Sequence, residues 1–160
     1  LNNNNAMSNT LSGIKYVGGV FQSNVDSNTS GLNGLNGIEI VADAFNGSLF
    51  LNTTEMNTAE GINISLDAAR TSLVDVIENQ VSGNNFNAIS MLPESQFRLE
   101  NSGLGFVTVE IDDNTSTDIV AAPEFNFNLL NTGAGTVTPI IVPPSSSTGT
   151  VGLNGGQRFP

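Results

Sequence analysis

Asp112, Asn114, Ser116 and Asp118 place oxygen-bearing side chains at alternate positions of one short segment, the ligand pattern of a hard-cation loop. Such a loop would take Ca²⁺, although it lacks the glycine at position six and the glutamate at position twelve of an EF-hand. The same residues also read as an acidic turn. Carboxylates supply the other candidate chemistry. Asp43, Glu55, Glu60, Asp75, Glu78, Glu94, Glu100, Glu110 and Glu124 are available for paired acid–base work on a glycosidic bond, but no spacing singles out a pair. The chain has no Trp and one Tyr with which to build a sugar platform.

His and Cys are absent, and Lys15, Arg70, Arg98 and Arg158 are the basic residues. Most nucleophilic catalysis at neutral pH and most soft-metal sites start from His, Cys or an activated Lys. A serine nucleophile would need Lys15 as its base, with Ser12 the nearest upstream hydroxyl, and Lys15 lies in an N-terminal arm. Gly18-Gly19 is too short to cradle a phosphate and opens no helix. The chain therefore reads as non-enzymatic and without a cofactor, Ca²⁺ being the alternative. Asn28, Asn46, Asn52, Asn63 and Asn114 each begin an Asn-x-Ser/Thr triplet, but in a chain so rich in Asn and Thr several such triplets arise by chance, and Asn46 has a sufficient turn role, so glycan attachment is not the expected reading.

A net charge of −11 opposes binding to phosphate backbones and to anionic membranes. No apolar run approaches the ~18–20 residues of a membrane span. Asparagine occurs at 23 of 160 positions, and with Gly, Ser and Thr it reads as a neutral polar surface. The opening Leu1-Asn2-Asn3-Asn4-Asn5, with no initiator Met, fits a removed leader, a fragment, or residues 1–6 added before Met7.

The elements that must position these residues are short strands. Phe125, Phe127 and Leu129 alternate with polar residues, as do Phe97 with Leu99 and Ile62 with Ile64 and Leu66. Leu104–Ile111 is apolar on both faces and reads as a central strand, while Pro139 moves 137–142 to an edge or bulge. Asn46-Gly47 predicts a two-residue hairpin between Ile38–Phe45 and Ser48–Thr53, and residues 112–114 a second turn. The Gly-Leu-Asn triplets at 31–37 and 152–155 read as turn-rich connectors rather than as a solenoid. Leu66, Ala69, Leu73, Val76 and Ile77 fall at helical spacing, predicting one α-helix at about 66–81, capped by Ser65 or Asp67 and stopped by Gly83.

The expected fold is mainly β: an antiparallel β-sandwich-like single domain with that helix and extended arms. Residues 1–22 form the N-terminal arm, 23–142 the β-rich core and 143–160 a Pro/Ser/Gly-rich linker and tail. Ile14, Val17 and Val20, with Leu153 and Phe159, are the candidate anchors for strand exchange with a neighbouring copy. The functional expectation is a structural subunit of a secreted, extracellular filament or surface assembly, with the chain itself as partner. A virion component (capsid decoration, tail or fibre) and a Ca²⁺- or carbohydrate-binding adhesin module are the alternatives.

Overall fold

Described over residues 1–67, 69–84, 95–117, 125–141, 151–153 and 158–159 in a computed structural model, the chain winds as a parallel β-solenoid. The first coil carries β1 (Asn5–Met7), β2 (Ile14–Phe21) and β3 (Val25–Asp26), and the second β4 (Thr29–Gly31) and the long β5 (Ile38–Phe50). The third holds β6 (Thr53–Glu55), β7 (Ile62–Leu66) and β8 (Ser72–Ile77); the fourth holds β9 (Gln80–Ser82), β10 (Ser95–Asn101) and β11 (Phe106–Asp112). Then follow β12 (Thr115–Thr117), β13 (Phe125–Asn131), β14 (Thr136–Ile141), β15 (Val151–Leu153) and β16 (Arg158–Phe159).

Like strands stack on like. β1, β4, β6, β9 and β12 form a short face. β2, the first part of β5, β7, β10, β13 and β15 form a broad face, and β3, the rest of β5, β8, β11 and β14 a third. Each of these pairings is parallel; only β15 with β16 is antiparallel. In-register stacking sets identical environments over one another, so Ile38, Ile62, Phe97 and Phe127 make one buried column and Val25, Leu49, Val76 and Ile111 another. No coil buries its apolar side alone; each is the floor of the next.

Asparagine builds the corners. Asn4, Asn28, Asn52, Asn79 and Asn114 form one ladder in which each Nδ2 donates to the next Oδ1 at 2.9 Å. The backbone N–H of the same residue donates to that oxygen too. Asn9, Asn33, Asn57 and Asn84 form a second ladder, which ends on the Gln96 Oε1. An internal rung is fully satisfied: Asn52 Nδ2 also donates to the Val25 carbonyl, at 2.8 Å. The residue before each of these nine asparagines has a positive φ, bulky Leu32, Leu51 and Met56 included. Left-handed backbone is unfavourable for such side chains, and the corner bonds hold them there.

These observations correct the sandwich and the helix. Alternating burial reports one wet and one dry side, which antiparallel pairs and solenoid faces share. Over 66–81 the described chain ends β7, turns a corner, and runs as β8 and into β9. Val74 and Val76 point inward there, while Leu73, from the expected helical stripe, is 49% exposed. β-Branched Thr71, Val74 and Val76 suit a pleated strand better than a helix. Gly83 does adopt φ 59°, but at a corner before Asn84 rather than at a helix end. Asn46-Gly47 lies within β5, with no reversal of the chain, and the turn at Asp113 leads onward to β12 instead of back along β11. Pro139 sits in β14, the outermost described strand of its face, where a missing donor breaks no central pairing.

The N-terminal arm is a coil as well. β2 pairs with β5 over Ile14–Phe21, and Phe21 is buried against Phe45 with ring centroids 5.0 Å apart. β15 stacks on β13, while residues 143–149 lie outside the described residues. The neutral-surface reading of asparagine gives way too, since the interior ladder residues Asn28, Asn33, Asn52, Asn57, Asn79, Asn84 and Asn114 are all buried.

Candidate functional site

Among the described residues a groove of about 390 Å³ lies on the broad face, at its corner with the third face. Parallel register builds it from two columns. Val17, Val41 and Ser65 stand on β2, β5 and β7, and beside them run Asp43, Asp67 and Ser102 from successive coils. Asp43 and Asp67 are exposed and one coil apart, a strand spacing of about 4.8 Å. Two carboxylates, two hydroxyls and an apolar floor can bind hydroxyl groups or a cation.

Next to the groove one register row runs Lys15, Glu39, Asn63, Arg98 and the buried Asn128 across five coils. Lys15 Nζ lies 3.0 Å from Glu39 Oε1, and the Ser12 hydroxyl donates to Oε2 at 2.5 Å. The Ser12 proton thus goes to a carboxylate and Lys15 is ion-paired, so the pair is not set up as nucleophile and base. Burial pushes the Glu39 carboxyl up, but Ser12, Lys15 and Asn36 outweigh it and hold the group below its ordinary value. A depressed acid stabilises the fold above its unfolded pKa, and that contribution is lost as pH falls through the folded value. Glu39→Gln should therefore flatten the acid limb of stability against pH. Because Lys15 is half exposed, the loss at neutral pH should be at most about 1 kcal/mol, measured by urea unfolding from pH 7 down to 3. An unchanged acid limb would show that Glu39 carries none of it. Further along the row Arg98 Nη2 bonds Glu100 Oε2 at 2.6 Å, while Arg98 Nε and Asn63 Oδ1 are buried without partners on adjacent coils.

The expected Ca²⁺ ligands are not all brought together. Asp112 ends β11 on the outside, whereas Asn114 turns inward as a ladder rung. Asn114 Oδ1 accepts from the N–H and Nδ2 of Asn79, and its Nδ2 donates to the Val76 and Asp112 carbonyls. The Ser116 side chain and Asp118 lie outside the described residues, as do Glu94 and Glu124. Among the described residues no group of three or more Asp or Glu is arranged to hold a metal ion. Of the assembly candidates, Ile14 packs partly against the core, Val17 is 65% exposed and Val20 37% exposed. Leu153 and Phe159 fall in β15, which stacks on β13, and in β16, which pairs with β15.

The glycosylation triplets are mostly ladder chemistry. Asn28, Asn52 and Asn114 have buried, bonded amides, each followed by a residue that enters the short face. Their side chains are closed to modification in the folded chain. Asn46 is only half-buried, and its Oδ1 accepts the Leu73 N–H.

Sequence reasoning missed the ladders and the Asp43–Asp67–Ser102 column. The signal was a 24-residue offset: Asn4, Asn9, Gly13 and Ile14 recur as Asn28, Asn33, Gly37 and Ile38, and again as Asn52, Asn57, Gly61 and Ile62. Insertions stretch the ladder step to 27 and then 35 residues, which hides the period downstream. The chain matches no family model, no curated protein and no solved structure.

Proposed function

We propose that the protein is a non-enzymatic structural subunit of an extracellular surface assembly, in which the solenoid is a stiff element that associates with further copies. One observation carries this reading. The residue type in greatest excess, asparagine, forms buried ladders whose role is to stack coils, while apolar side chains such as Leu11, Val17, Leu104 and Phe106 stay exposed outside. Leu11 and Val17, exposed at 67% and 65%, are the apolar side chains of the first coil that a neighbouring copy would cover. Light scattering and negative-stain electron microscopy of the purified chain test it. Ordered assemblies are expected, and Leu11→Ser with Val17→Ser should shift them toward monomer without changing the unfolding midpoint. A wild-type chain that stays monomeric at millimolar concentration would refute self-assembly.

The broad-face groove favours a second reading, a glycan-binding adhesin. Asp43 and Asp67 would accept hydrogen bonds from sugar hydroxyls, as paired carboxylates on a solid surface do. Glycan-array binding that Asp43→Asn with Asp67→Asn abolishes would support it.

A further inference from the structure

The third face carries its acids toward one end. Its outward positions carry Asp26 on β3, Asp75 on β8, and Glu110 and Asp112 on β11, with Glu78 at the adjoining corner. No Lys or Arg occurs in any strand of this face. Asp75 and Glu110 are register partners, about 4.8 Å apart across the sheet, and Asp112 follows Glu110 by two residues, about 6.8 Å along the strand. The Glu78 N–H bonds the Asp112 carbonyl and so ties the Glu78 backbone to the acidic end of β11. Like charges directly opposite one another are unfavourable in a sheet. On the broad face Glu39 is paired with Lys15 and Glu100 with Arg98, while Asp43 and Asp67 lie in no ion pair among the described residues.

The opposite end of the same face is apolar and uncovered. Leu73 is 49% and Phe106 62% exposed, standing diagonally on adjacent coils, whereas Ile140, 45% exposed, lies beside Glu110 at the acidic end. Read outward along β11, the face runs Phe106, Thr108, Glu110, Asp112, from apolar to doubly acidic. An unpaired acidic field beside exposed apolar side chains selects a partner that is cationic at one end and apolar at the other. We propose that this face docks an extended, basic amphipathic segment of another polypeptide. Its alternate Lys or Arg side chains lie over Asp75, Glu110 and Asp112, and its apolar end covers Leu73 and Phe106. Alternate residues of an extended segment are about 6.8 Å apart, the spacing of Glu110 and Asp112.

The test uses the full chain and a fluorescein-labelled peptide of about ten residues, with Phe and Val in its first half and alternating lysines in its second. Fluorescence anisotropy should show saturable binding at low salt that weakens as salt is added. Asp75→Asn, Glu110→Gln and Asp112→Asn together should weaken it about tenfold or more. Glu55→Gln, Glu60→Gln and Asp67→Asn remove the same charge elsewhere and should leave it within about twofold. Phe106→Ser should weaken it at high salt as well, where screening has removed the charge contribution. Equal loss in the two triple variants would reduce the attraction to net charge and overturn the proposal, as would absence of binding at low salt. Saturable stabilisation by Ca²⁺ alone, lost in the first triple variant, would reassign the face to a cation and overturn it too. Peptide binding does not depend on self-association, so this result stands apart from that of the assembly test.

Discussion

Replacing Asn52 with alanine should lower the unfolding free energy by about 3–5 kcal/mol. The side chain sits mid-ladder and is fully buried. Its loss leaves the Asn28 N–H and Nδ2 without their acceptor and the Val25 carbonyl without its Asn52 donor, and takes one of two donors from Asn79 Oδ1. Each buried group left unsatisfied costs about 1–3 kcal/mol, and water entering the gap recovers part of the total. Asn63→Ala is the control. Asn63 also opens an Asn-x-Ser triplet, but its buried Oδ1 has no partner, so its removal should change stability by less than about 1 kcal/mol. Urea unfolding of both variants decides the matter. Equal effects would mean that the ladder contributes no more than any other asparagine.

Asn52→Asp sharpens the same result through its pH dependence. Two of the bonds that Asn52 makes are donations, to the Val25 carbonyl and to Asn79 Oδ1, and a carboxylate cannot make them. Burial and two facing oxygens raise the folded pKa above the unfolded value of about 3.9. The folded state then binds a proton in preference to the unfolded one. The destabilisation should be greatest at neutral pH and shrink as pH falls through the raised folded value. A destabilisation independent of pH between 7 and 4 would place the residue-52 side chain outside the ladder.

Strands were legible in this sequence because burial alternates along them. Ile62, Ile64 and Leu66 are buried with Asn63 and Ser65 between them, as their spacing indicates. Direction was not legible, since a strand with one wet side looks the same beside a parallel or an antiparallel neighbour. Leu66 to Ile77 combined two strands and a corner into an accidental helical stripe. The corner residues misled most. Asn and Gly normally mark turns, and they do so here, but each turn is about a third of a coil rather than a reversal. The groove was illegible for a related reason: Asp43, Asp67 and Ser102 share a column only after the coil step is known, and that step changes after Asp67.

Gly47→Ala should cost about 2–3 kcal/mol, whereas Gly19→Ala should leave the protein as stable as wild type or up to about 1 kcal/mol more so. Both glycines lie in strands and neither has a positive φ, so the contrast depends on space alone. A Cβ at Gly47 would collide with the Ser23 carbonyl oxygen, with the carbonyl carbon 2.9 Å away and Phe45 Cε2 3.2 Å away. Ser23 belongs to the coil stacked on β5, whose neighbours Phe21 and Val25 are buried, so that backbone has little room to withdraw. A Cβ at Gly19 meets only Asp43 Oδ2 at 3.6 Å, an ordinary contact. There the substitution mainly restricts the unfolded chain, which favours folding. The pair also separates two explanations of Asn46-Gly47. In a two-residue hairpin this glycine would be needed for positive φ, and Gly47→Asn, which tolerates that conformation, would be mild. In β5 the glycine is needed for close approach, so Gly47→Asn should be at least as damaging as Gly47→Ala. Urea midpoints that rank Gly47→Asn near wild type would contradict the passage of β5 from the broad face to the acidic one.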